Sequence, residues 1–283
     1  MTSRTTPTAR QQRLGAELRK LREKAGMTAR EAGALLGGNQ ARISNIETGR
    51  APVSATMVRT LACNYECDDQ ALIDALAGMT GERKRGWWEE YRGVLPPGLL
   101  DLAELEHHAT GLRIGHTVHI PGLLQTIDHA RTVFQQVVPT LSPPEVEHRL
   151  SHRIKRQAVM YRDTPLAFTT VLHEAAIRMQ FGGPGTARAQ LQHLLHMSER
   201  DHVTIAVIPF ASGAFPGSGQ SVCYATGAVP QLDTVQLDQS HGSVLLDAEA
   251  QLTKYRTLLD RMESAALNPG ASRDFIRNIA RDL

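Results

Sequence analysis

The sequence predicts an all-α domain of five short helices followed by an α+β domain with a small, mostly antiparallel sheet. Three observations carry this. Up to residue 78 the chain is a succession of short amphipathic segments, most of them opened by a capping residue. Beyond it, helical stretches mix with short extended runs bounded by Gly and Pro. The charge divides in nearly the same place. Residues 1–65 hold 11 Lys and Arg against 4 Asp and Glu, a balance of +7; the remainder holds 20 against 25, a balance of −5, and the two sum to the net +2.

Leu14, Leu18 and Leu21 form the apolar stripe of a first helix over Leu14–Ala25, interleaved with Arg13, Arg19, Lys20, Arg22 and Lys24 and closed by Gly26. Thr28 caps a second, with Glu31 as the other half of a capping box. Ala32, Leu35 and Leu36 give that helix its inner face, and Gly37-Gly38 turn the chain into a third. Asn39 is the N-cap of the third helix and Gly49 its C′ residue. Ile43 and Ile46 share its buried face; Gln40, Ala41, Ser44, Asn45 and Thr48 point the other way, with Arg42 beside them. Ser54 caps a fourth helix (Met57, Val58, Leu61, Ala62), and Asp68 or Asp69 a fifth (Leu72, Ile73, Leu76).

A tight turn between the second and third helices is the helix-turn-helix pattern. The outer face of the third is that of a recognition helix. Side-chain amides match the paired donor and acceptor of adenine, and Ala or Thr methyls suit the methyl of thymine. Gln40 and Asn45 are therefore expected to touch base edges, with Asn39, Ala41 and Ser44 beside them. Arg42 and Arg50 are expected on phosphates, and Thr28 with Arg30 at the start of the second helix. The expected partner is double-stranded DNA, in keeping with the basic balance of this half.

The stretch "LGAELRKLREKAGMTAREAGALLGGNQARISNIETGRAPVS", Leu14 to Ser54, resembles the XRE-type regulators, whose DNA-binding domain is that of phage repressors and Cro. The family commonly has Gln after the threonine that starts helix two, where it touches a phosphate; here Ala29 stands there, leaving Thr28 and the helix-two amides for that contact. The resemblance also implies that Glu47 pairs with a helix-one arginine, and Arg22, four residues past core-facing Leu18, is the best placed.

The expected domains are a flexible arm over 1–12, a helix-turn-helix domain over 13–78, a linker and aromatic segment over 79–98, and an α+β domain over 99–283. Residues 1–12 lack the apolar core of a signal peptide, and no stretch approaches the roughly 18–20 apolar residues of a membrane helix. Cys63, Cys67 and Cys223 make an odd count without metal-site spacing, so cytoplasmic localisation with reduced thiols is expected. Trp87-Trp88 cannot both face one core: either one packs at a domain or subunit interface, or both fill the interior at a bend.

In the second half the expected helices are Leu99–Leu112, Leu123–Val138, Pro143–Tyr161 (capped by Ser142), Pro184–Ser198, Asp247–Ala266 and Ser272–Leu283. Extended stretches are expected over Ile114–Ile120, Leu166–Leu172, Val203–Pro209, Ser221–Thr226 and Thr234–Asp238. Four landmarks, "RGWWEEYRGVLPPG", "PGLLQT", "HEAAIR" and "VIPFASGAFPG", resemble a C-terminal domain of unknown function carried by a large bacterial family of helix-turn-helix regulators. That resemblance implies a regulator of development or secondary metabolism, some members pairing with a small protein encoded next door. The family's usual Tyr-Glu-Pro-x-x-Val/Ile before PGLLQT is replaced here by Gly115-His116-Thr117-Val118-His119-Ile120.

Of the twelve histidines, His107-His108, His116 with His119, and His148 with His152 lie close in sequence, but no metal motif accompanies them. Ser218, Ser221, His173, Glu174 and Asp247 can be written as a hydrolytic triad, without the elbow that would support it. Gly213–Gly219 lacks a P-loop lysine. No enzyme activity, metal or cofactor is expected. The expected function is a sequence-specific transcriptional regulator, a homodimer, whose second domain takes a small-molecule effector or protein partner near Trp87, Trp88, Tyr91, Leu124 and Gln125. Two alternatives stay open: an antitoxin-like protein-interaction module, and a helix-turn-helix domain fused to a small hydrolase-like enzyme. Leu252, Tyr255, Leu258, Leu259 and Met262 form an apolar face that pairs either with a second copy or with the chain's own sheet.

Overall fold

The computed structural model describes residues 6–80, 86–239 and 242–283. The chain divides into two compact units, Met1–Glu89 and Glu90–Leu283.

The first unit is all helix: α1 (Ala9–Lys24), α2 (Ala29–Leu35), α3 (Gln40–Glu47), α4 (Ala55–Asn64) and α5 (Gln70–Gly78). The caps explain where they start. Thr28, Asn39, Ser54 and Asp69 each accept an amide of the first turn, from Glu31, Arg42, Met57 and Leu72. The expected arm over 1–12 is corrected in part. Residues 1–5 lie outside the described ones, but α1 already begins at Ala9, because Thr8 and Gln11 form a reciprocal capping box. Leu35 is also corrected: it is 55% exposed, and the inward residues of α2 are Ala32 and Gly33, with Leu36 half-buried. Ile43, Ile46, Leu14, Leu18, Val58, Leu61 and Leu76 make the core. Of the expected linker, residues 81–85 lie outside the described ones, and Trp87–Tyr91 form a 3-10 turn.

The second unit begins with α6 (Pro97–His108) and β1 (Gly111–His116), then α7 (Ile127–Gln135) and α8 (Pro143–Gln157). It continues with β2 (Ala167–His173), α9 (Glu174–Arg178), α10 (Gly183–Met197) and β3 (Val203–Ile208). A meander follows, β4 (Val222–Thr226), β5 (Thr234–Gln239) and β6 (Gly242–Leu246), and the chain closes with α11 (Glu249–Ala265) and α12 (Pro269–Asp282). The six strands form one mixed sheet in the order β3-β2-β1-β4-β5-β6. The two pairings β3·β2 and β2·β1 are parallel; the three on the other side are antiparallel. The expected α+β class with a mostly antiparallel sheet is thus what the chain adopts. Its parallel part follows from the helical connections between β1, β2 and β3, since parallel neighbours need a crossover.

Strand alternation sends residues to two faces. Leu112, Ile114, Phe168, Leu172, Ile205 and Val207 meet α10 and α12 through Leu191, Leu194, Ile276 and Ile279. Val171, Ala206, Val222, Tyr224, Val235 and Leu237 meet α11 through Leu252, Leu259 and Met262, with Tyr255 and Leu258 partly buried beside them. The apolar face of α11 is therefore covered by its own sheet, the second of the two expected readings.

Three other expectations shift. The helix over Leu99–Leu112 stops at His108, because Leu112 sits in β1 and Thr110 bonds the Thr226 carbonyl across to β4. The helix over Leu123–Val138 is a 3-10 turn, Gly122–Leu124, and then α7, capped at Thr126. The last helix starts at Pro269, with Asn268 as its cap. β6 and α9 were not foreseen.

Candidate nucleic-acid interface

Helix α3 is held by the core and by two neighbouring helices, α1 and α2. Ile43 and Ile46 anchor it in the core. Gly15 of α1 lies against its last turn, so closely that a Cβ there would sit 2.5 Å from the carbonyl oxygens of Ile46 and Glu47. Gly33 of α2 lies against its start, where a Cβ would come within 2.7 Å of the Asn39 carbonyl carbon. The tight turn between α2 and α3 uses Gly37 at φ +61° and a bond from Gly38 N–H to the Gly33 carbonyl (2.9 Å).

An ion pair fixes the remaining freedom. Arg22 donates from Nε to Glu47 Oε1 (2.6 Å) and from its terminal nitrogen to Oε2 (2.9 Å). It also donates to the Met27 carbonyl (2.7 Å). The pairing that the resemblance implied for Glu47 is present. Tyr65, buried nearby, is pushed up to about 12 by desolvation and by the Glu47 charge.

What α3 leaves outside is polar. Gln40, Ala41, Arg42 and Ser44 are exposed and Asn45 is half-buried. Among the described residues, no hydrogen bond joins the side-chain amides of Gln40 or Asn45 to a protein group, so both are available to an external partner. Asn39 differs: its side-chain oxygen already accepts from Arg42 N–H (3.1 Å), so its role is the cap. Thr28 differs as well. Its N–H and hydroxyl both donate to Glu31 Oε2 (2.7 Å each), and this lowers the Glu31 pKa. A carboxylate thus already occupies the place where Thr28 was expected to serve a phosphate.

The cations sort themselves. On α1, Arg13 and Lys20 pair with Glu17, Arg19 with Glu23 and Arg22 with Glu47. Arg59 pairs with Asp74. Among the described residues, Arg30, Arg42 and Arg50 form no ion pair, and all three are exposed. They lie on α2, on α3 and just after α3. Lys24, one of the basic residues of the first helix and its last residue, is likewise exposed and outside any ion pair among the described residues.

The residues expected to receive an effector or partner differ in exposure. Leu124 is fully buried. Gln125 is buried too, donating to the Ile120 carbonyl (2.7 Å) and accepting from Arg153. Tyr91 bonds Ser151 through its hydroxyl (2.8 Å) and meets His152 edge-on at 5.1 Å. Trp88 is buried, Trp87 half-buried, and their rings meet edge-on at 5.9 Å. The two adjacent indoles are indeed divided between different degrees of burial.

His148 is exposed while His152, one turn on, is buried. Among the described residues, no three or more His, Cys, Asp or Glu side chains converge as a metal would require. Glu174 uses both oxygens, on Phe210 N–H (2.7 Å) and Arg178 (2.5 Å), and His173 Nδ1 accepts from Ala175 N–H (3.3 Å). No helix of the described residues is long and apolar enough to cross a membrane.

Comparison with known families gives two matches. Residues 99–278 match a family described as a domain of unknown function (DUF5753). Residues 13–76 match a helix-turn-helix domain, which agrees with the arrangement of α2 and α3. No curated protein and no solved structure matches the chain.

Proposed function

The chain belongs to the DUF5753 family and carries a helix-turn-helix domain ahead of that region; from this premise we propose that it is a sequence-specific transcriptional regulator of the XRE, phage repressor and Cro type. The observation that carries the reading is the outer face of α3, where among the described residues the side-chain amides of Gln40 and Asn45 bond to no protein group, with Arg30, Arg42 and Arg50, on α2, on α3 and just after it, exposed and outside any ion pair. The amides read base edges; the arginines neutralise phosphates.

The protein acts in the cytoplasm as a homodimer on two half-sites about one helical turn apart, the usual remedy for the small surface of one such domain. The second unit receives a small-molecule effector or a protein partner and catalyses no reaction. Such a signal works by binding the DNA-competent and incompetent states unequally, and a tenfold change in operator affinity needs ~1.4 kcal/mol of coupling.

The test maps the DNA bound by the native protein across its genome, then measures the affinity of the full chain for the recovered site as salt is raised. A recovered site with twofold symmetry, bound with an affinity that falls steeply with salt, supports the reading. Binding without sequence preference, or without salt dependence, overturns it. Sedimentation of a monomer at micromolar concentration, both free and on DNA, removes the dimer.

A further inference from the structure

Four elements of the second unit bring unusual side chains together. β1 ends at His116 and the loop after it carries His119; α7 supplies His129, α8 supplies Arg153, and Phe181 follows α9. Phe181 lies against two of the histidines, 5.2 Å from His119 with the planes tilted by 32°, and 5.4 Å from His129 edge-on. The charge of Arg153 reaches all three histidines: each has its pKa lowered first by burial, with Arg153 as a further cause. The cluster sits at the carboxyl end of a parallel strand, where open α/β sheets place their ligands.

Arg153 is held on several sides and, among the described residues, forms no ion pair, although the charges of Glu106 and Asp238 reach it. Its guanidinium donates to Gln125 and lies 4.9 Å from the centroid of Phe134. Gly122 packs on it so closely that a Cβ would sit 2.8 Å from a terminal nitrogen. The Pro121–Thr126 turn thus wraps the cation. Among the described residues no carboxylate pairs with Arg153, because the neighbouring Glu106 is taken by Arg156 through two bonds of 2.8 and 2.6 Å. Its Nε is buried and bonds to no protein group. The same holds for Nδ1 of His116 and for both ring nitrogens of His129, which is 1% exposed. The cluster meets solvent at His119 and Asp238, both exposed.

A half-buried cation whose Nε is enclosed and unbonded, beside unbonded ring nitrogens, is costly unless something pairs with it. We propose that this cluster is a binding site for a small aromatic carboxylate, whose anionic group pairs with Arg153 and whose ring lies against Phe181 and His119. The residues choose the class. One arginine among histidines held neutral balances one negative charge, and Asp238, near enough to act on Arg153 and His116, disfavours a dianion. The rings supply a flat apolar wall, and a planar guanidinium suits a carboxylate. This deepens the reading of the second unit as a receiver of a signal and rests on it only for consequence, since occupancy is measured without DNA.

Calorimetric titration of the full chain at neutral pH, with benzoate, benzamide and inorganic phosphate as probes, tests the site. The expected result is saturable binding of benzoate, with benzamide and phosphate each at least about tenfold weaker. Arg153→Gln should remove the preference for benzoate over benzamide. Phe181→Leu, at a half-buried ring, should weaken both and keep the preference, and it remains informative if Arg153→Gln fails to fold. Equal binding of benzoate and benzamide, tighter binding of phosphate, wild-type affinity in either folded variant, or no saturable heat with benzoate up to about 10 mM would each overturn the proposal. Failure here leaves DNA binding by α3 untouched, and loss of DNA binding leaves this site untouched.

Discussion

Arg22 and Glu47 stand twenty-five residues apart and close a two-bond ion pair, their side chains only 9% and 8% exposed. The pair ties α1 to the last residue of α3. Removing one partner leaves the other charge buried and alone, which costs about 3–5 kcal/mol. Arg22→Met should therefore destabilise the first unit by that amount in urea denaturation. The double variant Arg22→Met with Glu47→Leu should recover much of the loss, because no lone charge remains. A double variant as unstable as the single one would show that packing of the arginine stem matters more than its charge.

Two glycines should respond to the same substitution with opposite signs. Ala usually improves on Gly inside a helix by roughly 0.5–1 kcal/mol. At Gly78, where a Cβ would meet nothing within 4 Å, Gly78→Ala should raise stability by about 0.5 kcal/mol or leave it level. At Gly15 the added carbon would press on the backbone of Ile46 and Glu47, and Gly15→Ala should cost about 1–3 kcal/mol. Thermal melts of the two variants check both directions.

Base reading and phosphate anchoring should separate on DNA. Gln40→Ala or Asn45→Ala should cost roughly 1–3 kcal/mol on the cognate site and relax preference at one base pair. Arg42→Ala or Arg50→Ala should weaken all sequences alike and reduce the salt slope by about 1. Footprints and base preferences unchanged in Gln40→Ala and Asn45→Ala would mean that another face of the domain meets DNA.

Acid should destabilise the second unit through His129. Burial, with His119 and Arg153 nearby, lowers its pKa from the usual 6.5 to about 4. Between those values the unfolded chain binds a proton that the folded chain refuses. Stability is therefore full above about 6.5, falls as pH drops towards 4, and levels off below. One histidine contributes a slope of at most about 1.4 kcal/mol per pH unit. Urea denaturation across that window should show the slope, and His129→Leu should make it shallower by up to one proton.

Leu259 decides what the apolar face of α11 does. It is buried between α11 and the sheet, so Leu259→Ala should cost about 2–5 kcal/mol of stability. Sedimentation of the folded variant should match that of the native chain. A loss of self-association with stability unchanged would return this face to the subunit interface.

Much of the first unit is legible in local chemistry. Thr28 with Glu31, Asn39, Ser54 and Asp69 mark helix starts, because a cap is settled within a few residues. The spacing of Ile43 and Ile46 sets which side of α3 faces out. Strands such as β3 and β5 are visible in their β-type runs for the same reason. Other features depend on residues far apart in sequence. Leu112 fits a helix and a strand equally, and its place in β1 is decided by pairing with β2 and β4. The same pairing sets the parallel order of β3, β2 and β1. Leu35 looks as apolar as Leu36, and only the packing of α2, through Gly33, on the start of α3 turns it outward. The histidines are the clearest case. Sequence spacing groups His116 with His119 and gives no reason to join His129 or Arg153 to them. The fold instead brings His119 and His129 against Phe181 and puts all three histidines within reach of the Arg153 charge, because burial and charge act through space and take no account of distance along the backbone.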